Sequence, residues 1–151
     1  EELGMRGTKP DPDLRTPMRW KRALDASGEA TWHATSPKNG AAISVQAQRA
    51  DPDSLLNYYT TLIHWRKAIP ALREGGFRAY PEASDHLLAW QRTDGANTVL
   101  VVHNLSNKAQ TMALDVPDQP HFTRVLKTTH DGVTLHGDTL RVPAYTSVVL
   151  K

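Results

Sequence analysis

At Gly75-Gly76 the spacing of apolar residues changes from helical to extended, and this change decides what the chain can fold into. Before the pair, Leu55, Tyr59, Leu62, Ile63 and Ile69 recur at the three- and four-residue spacings of one helical face. The pattern predicts a helix near 52–69. Asp51 suits its N-cap, Pro52 its first position and Asp53 its positive end, while Arg66 and Lys67 complement the C-terminal dipole before Pro70 ends it. After the pair, strands are expected at 77–80, 86–92, 98–103, 110–116, 122–127, 139–142 and 146–150, most of them separated by turn residues. Met112, Leu114 and Val116 alternate with Thr111, Ala113 and Asp115, the pattern of a sheet with one wet face. The segment 98–102 is apolar on both faces and is expected at the centre of a sheet. Short strands in succession with no helix between them read as an antiparallel Greek-key sandwich.

The first fifty residues fit neither pattern. They carry Pro10, Pro12, Pro17 and Pro37 with scattered glycines, including Gly4, Gly7, Gly28 and Gly40. So long an irregular stretch is uncommon in a compact domain unless it has a function or belongs to a larger body. A chain of 151 residues has room for one ordinary domain, or for a small domain joined to part of another. The second division is favoured, and the opening Glu1, which is not a methionine, suits a processed or truncated product.

Composition narrows the partners. With 39% hydrophobic and 23% charged residues the chain is in the range of soluble globular proteins. Its basic residues are scattered and its net charge is only +2, so nucleic acid has little electrostatic footing. Apolar runs such as 99–102 fall far short of the roughly 20 residues that span a bilayer, and nothing at the start resembles a signal peptide. The absence of cysteine rules out disulfides and thiolate metal sites, and fits cytoplasm and bacterial periplasm equally. His33, His64, His86, His103, His121, His130 and His136 form no closely spaced ligand pair and read as surface or turn residues. Asp11 and Asp13 alone do not make a calcium loop. Neither a metal nor a cofactor is expected.

Three stretches in order carry a family resemblance: Glu1-Glu2-Leu3-Gly4-Met5, then Arg15-Thr16-Pro17-Met18-Arg19-Trp20, then Val45-Gln46 followed by Asp51-Pro52-Asp53-Ser54-Leu55-Leu56-Asn57-Tyr58-Tyr59. Leu62-Ile63, Arg66-Lys67 and Pro70-Ala71-Leu72 extend it, and the closing 142–150 is similar to a final strand. Together they resemble the C-terminal part of glycoside hydrolase family 13, the α-amylase superfamily that includes α-glucosidases, oligo-1,6-glucosidases and trehalose synthases. The resemblance implies that residues 1–73 are the end of a (β/α)8 barrel: the last strand, a long loop over the active-site face and the last helix. Residues 74–151 are then the C-terminal β-domain.

The resemblance also implies retaining cleavage of α-glucosidic bonds by a nucleophilic carboxylate and an acid held about 5 Å apart. In the family these groups, with a third carboxylate, precede the position of Glu1, so no catalytic residue is expected in this chain. Glu1, Glu2, Asp11 and Asp13 match none of them. Arg15 is the candidate substrate-binding residue, since it resembles the arginine at the closed end of the family's glucose pocket. A guanidinium there offers fixed donors to carboxylate and sugar hydroxyls. Arg19 stands where the motif commonly has glutamine and is expected to add charge near the pocket. Trp20 is expected to be a packing anchor, Trp32 is left between packing and stacking on a sugar, and Tyr58, Tyr59 and Trp65 read as structural.

The expected partners are therefore an α-linked gluco-oligosaccharide and the missing N-terminal portion of the barrel, with the chain by itself inactive. The alternative is a non-catalytic carbohydrate-binding or structural β-sandwich module, using Tyr80, Trp90 and other aromatics of the sandwich as a stacking platform. Against it, the alternation of Trp90 with Leu88 suggests an inward face.

Overall fold

The computed structural model describes residues 1–23, 26–81 and 84–151. They form two compact units, 1–63 and 64–151.

In the first unit, two short helices interrupt the stretch read from sequence as loop: α1 (Asp11–Leu14) and α2 (Val45–Arg49). Helix α2 starts where Ser44 Oγ accepts the Ala47 N–H at 3.2 Å, an N-cap within an otherwise irregular segment. Buried side chains bond much of the backbone around it. Gln48, 7% exposed, donates from Nε2 to the Leu3 carbonyl at 2.8 Å and accepts the Leu56 N–H on Oε1 at 2.9 Å. One amide thus links the N-terminal segment, α2 and the start of the next helix.

That helix, α3 (Leu55–Ala68), begins later than the sequence suggests. Asp51 spends its carboxylate on the Asp53 N–H at 3.0 Å, a local turn that competes with helix capping. Ser54 caps α3 instead, its Oγ accepting the Asn57 N–H at 3.2 Å. Pro70 ends the preceding helix as expected and has a second role. It sits at the start of a further helix, α4 (Pro70–Glu74), where its missing N–H costs nothing. No residue of α3 is buried, and Leu55, Tyr59 and Ile63 leave an apolar stripe 40%, 37% and 52% exposed.

Among the described residues no strand precedes Gly76. A barrel strand is defined by ladder bonds to neighbours on both sides, and among the described residues none forms a ladder with residues 1–5. Gly75 makes the switch from helix to sheet. A β-carbon there would lie 2.5 Å from the Ala71 carbonyl oxygen and 2.9 Å from the Thr93 backbone, so the close approach requires glycine.

The second unit holds eight strands: β1 (Gly76–Ala79), β2 (Leu87–Asp94), β3 (Asn97–Asn104), β4 (Gln110–Ala113), β5 (Val125–Thr128), β6 (Thr134–His136), β7 (Thr139–Val142) and β8 (Ser147–Leu150). All pairings are antiparallel, in a five-stranded sheet ordered β1-β2-β3-β8-β5 and a three-stranded sheet ordered β4-β7-β6. Leu87, Ala89, Leu100, Val102, Val148 and Leu150 from the first sheet share a core with Met112, Leu140 and Val142 from the second. Truncating such a fully enclosed leucine to alanine typically costs about 2–5 kcal/mol. On the other face of the larger sheet, Val99 and Val149 pack with Ala71, Trp65, Ile69, Leu72 and Leu126. The central strands β3 and β8 are therefore buried on both faces, as the apolar run at 98–102 predicts. Asn104 ties the sheets at one end, its Nδ2 donating to the carbonyls of Val142 at 3.1 Å and Pro143 at 2.7 Å.

Two sequence-based assignments change here. Trp90 and Leu88 point outward, because Leu87, Ala89 and Gln91 take the inner face at 4%, 4% and 3% exposure. A strand apolar on both sides conceals its inner face when the inward residues include a small alanine and a polar glutamine. Gln91 is satisfied there, donating from Nε2 to Gln119 Oε1 at 2.7 Å. His103 is not a surface residue either. Half-buried on β3, its Nδ1 is 2.6 Å from Ser147 Oγ and its ring centroid is 4.9 Å from that of Trp90.

Burial lowers the His103 pKa below its ordinary value. The unfolded chain then takes up a proton first, so stability present above about pH 6.5 is lost as pH falls through the folded pKa. Replacing His103 with Gln is expected to flatten the fall in melting temperature between about pH 8 and pH 5. An identical fall in both proteins would contradict this.

Candidate functional site

Arg15 follows the single turn of α1, its N–H donating to the Asp11 carbonyl at 3.1 Å. Its guanidinium reaches back one turn to Asp11, Nη2 to Oδ2 at 3.1 Å, with the two side chains 80% and 64% exposed. An exposed pair of this kind contributes little to stability, so both groups are accessible to a ligand.

The next residue, Thr16, lines an open cleft of about 250 Å³ in the first unit, together with Thr8, Asp13, His33, Thr35 and Ser36. His33 Nε2 is 3.6 Å from Asp13 Oδ1. Trp32 is 70% exposed and meets the His33 ring edge-on, with centroids 5.9 Å apart. The hydroxyls, carboxylate and imidazole of this lining stand beside the apolar Ala34 and Pro37, and Trp32 lies outside the lining, reached through its contact with His33. Trp20, expected to pack, is 49% exposed and takes part through its backbone, donating to Glu29 Oε2 at 3.2 Å.

Arg19 reverses the expectation of added charge near a pocket. Its side chain turns into the loop and is 5% exposed. Nε donates to the Lys21 carbonyl at 3.1 Å, Nη1 to the Asn39 carbonyl at 3.0 Å and Nη2 to the Arg22 carbonyl. The rigid fork of donors clamps two loop segments that share no ladder. The same Asn39 accepts the Arg6 N–H on Oδ1 at 2.7 Å, so the clamp extends to the N-terminal segment.

Sequence reasoning singled out Arg15 but missed the cleft beside it. Asp13 and His33 were weighed only as isolated acid and metal-ligand candidates, and no local spacing announces residues that meet across twenty positions. Among the described residues no three His, Asp or Glu side chains gather as a metal site. No helix there is long and apolar enough to cross a membrane.

The alpha amylase catalytic-domain family matches residues 2–75, and the alpha-amylase SusG C-terminal domain family matches residues 87–149. The chain belongs to the α-amylase family of glycoside hydrolases. It is 34% identical over 161 residues to alpha-amylase SusG of Bacteroides thetaiotaomicron, an alignment covering 100% of this chain and 23% of SusG. Glucan 1,6-alpha-glucosidase of Streptococcus pneumoniae is 36% identical over 105 residues, which cover 68% of this chain and 19% of that protein. The crystal structure of an alpha-amylase from H. orenii matches with a TM-score of 0.81 at 28% identity, over 99% of this chain and 30% of that one. Trehalulose synthase MutB from Pseudomonas mesoacidophila gives a TM-score of 0.74 at 26% identity, over 92% and 25% respectively. This chain therefore spans less than a third of the length of each of these relatives.

Arg19→Ala removes charge-assisted hydrogen bonds from a buried site and is expected to destabilise residues 1–63 by about 2–4 kcal/mol. The effect should appear as faster amide exchange across 19–22 and 36–40, partly restored by Arg19→Gln. Exchange unchanged from the wild type in Arg19→Ala would contradict the clamp.

Proposed function

We propose that this chain is the C-terminal part of a retaining glycoside hydrolase acting on α-glucans or α-linked oligosaccharides. Residues 1–73 form the end of the catalytic barrel, with α3 as its last helix, and residues 74–151 form the Greek-key sandwich that follows. The observation that carries this reading is the order of the two family matches, catalytic domain at 2–75 and SusG C-terminal domain at 87–149, in one continuous chain. The exposed stripe of Leu55, Tyr59 and Ile63 supports it, because an apolar helix face of this kind is normally covered by a neighbouring element.

The division of labour follows from chemistry. Retention needs two carboxyl groups about 5 Å apart across the scissile bond, and these belong to the upstream barrel portion. This chain contributes Arg15, a donor to the hydroxyls of the terminal glucose and to an upstream carboxylate. Its present partner Asp11 is exposed, so exchanging that contact for a ligand costs little. The Arg19 clamp and the Gln48 bridge hold the loop that presents it. MutB mutants have been crystallised with glucose and with isomaltulose, ligands of the class proposed here.

Tyr80 has no part in a stacking platform. It is 3% exposed, packs edge-on to Phe122 and donates its hydroxyl to the Leu114 carbonyl. This removes one of the aromatics on which a free carbohydrate-binding module was built.

In the full-length enzyme, Arg15→Ala is expected to lower kcat/KM for maltose and an aryl α-glucoside by about tenfold or more, with the melting temperature unchanged. Unchanged kinetic constants would exclude Arg15 from the substrate site.

A further inference from the structure

Just past Pro37, at the edge of the cleft, Asn39 and Gly40 form a pair with a chemistry of its own. Asn39 is 3% exposed although it lies in a loop, and Gly40 beside it faces solvent. Asn39 closes a turn, its N–H donating to the Ser36 carbonyl at 2.9 Å. Both of its carbonyl oxygens are held by donors. Oδ1 accepts the Arg6 N–H at 2.7 Å, and the main-chain oxygen accepts Arg19 Nη1 at 3.0 Å. Only an oxygen can face the Arg6 N–H, which fixes the orientation of the amide. Nδ2 is then buried and, among the described residues, has no hydrogen-bond partner. A buried donor left unpaired is costly, and this one has no structural task. Nor does the backbone require Gly40. Its φ is outside the left-handed region, and a β-carbon there would meet no atom within 4 Å. What glycine supplies is an unhindered amide nitrogen next to the Asn39 side chain.

We propose that Asn39-Gly40 is a self-modification site, where the folded loop closes to a succinimide that opens to isoaspartate or aspartate. The Gly40 nitrogen passes its proton to solvent base and attacks Cγ of Asn39. The Cγ–Nδ2 bond breaks, and Nδ2 takes a proton from water and leaves as ammonia. Water then adds to one ring carbonyl and the bond from that carbon to the Gly40 nitrogen breaks: opening at the main-chain carbonyl gives isoaspartate, opening at Cγ gives aspartate. Each group around the pair favours ring closure. The Arg6 N–H sits where negative charge develops on Oδ1, in the manner of an oxyanion hole. The Arg19 guanidinium polarises the carbonyl conjugated to the Gly40 nitrogen and so makes that N–H more acidic. Departure of Nδ2 breaks no hydrogen bond and removes the unpaired buried donor. The turn holds nucleophile and target together, so the step is intramolecular. Ser36, which anchors that turn, and Pro37 also line the cleft, so the methylene that isoaspartate adds to the main chain reaches the cleft wall. The inference stands on this loop alone and is independent of the substrate.

The test is a mass-spectrometric peptide map of the full-length enzyme kept folded at mildly alkaline pH, with isoaspartate detected by enzymatic methylation. The expected result is loss of ammonia, then gain of water, in the peptide carrying residues 38–41. It should run about tenfold faster than in a free peptide of residues 34–44, a difference of about 1.4 kcal/mol in barrier. Gly40→Ala, which the open space around Gly40 accommodates, should nearly abolish the change and keep the melting temperature. Arg19→Gln, which retains neutral donors, should slow it. No loss of ammonia from the folded enzyme, or loss no faster than in the free peptide, would overturn the proposal. So would a faster change in Arg19→Gln, which would make the guanidinium a guard of the pair instead of its promoter.

Discussion

The first 63 residues depend on buried polar side chains that take the place of missing ladders. Folded backbone needs partners for its N–H and C=O groups, and a segment with only short helices supplies few. Gln48 joins the Leu3 carbonyl to the Leu56 N–H, and Arg19 gathers carbonyls from Lys21, Arg22 and Asn39. A buried guanidinium with carbonyl partners has its charge spread over several dipoles and its donors occupied, so it tolerates a site with no carboxylate. The loop carrying Arg15 is therefore shaped although it has almost no regular structure.

The second unit solves the same problem by ordinary means. Strands β3 and β8 are paired on both edges and packed on both faces, which makes them the stiffest part of the sheet. The inner face carries the sandwich core. The outer face takes residues 65–72 and then continues as a strip of rings, Phe77, Trp90 and His103.

Much of this was legible in the sequence, for identifiable reasons. Strand β7 was expected at its observed residues, and the inward alternation of Met112 and Leu114 was correct, because a sheet with one wet face writes its period plainly. Strand β6 was missed, since three residues after a turn carry too little pattern. The start of α3 was displaced because Asp51 and Ser54 are both capping residues, and only the hydrogen bonds tell them apart. Arg15 was proposed from a motif, and its exposed pairing with Asp11 could not be read from spacing alone. The meeting of Asp13 with His33 and the burial of Arg19 depend on chain path, which local spacing does not record.

The chain belongs to a glycoside hydrolase family, and on the proposed reading it holds a substrate contact without the groups that break the bond. Adding an aryl α-glucoside to the purified 151-residue chain tests this most directly. The account predicts no aglycone release above buffer from the chain, beside ready turnover by the full-length enzyme. Release catalysed by the chain alone would contradict it, by placing a working pair of carboxylates among residues that were assigned only to support.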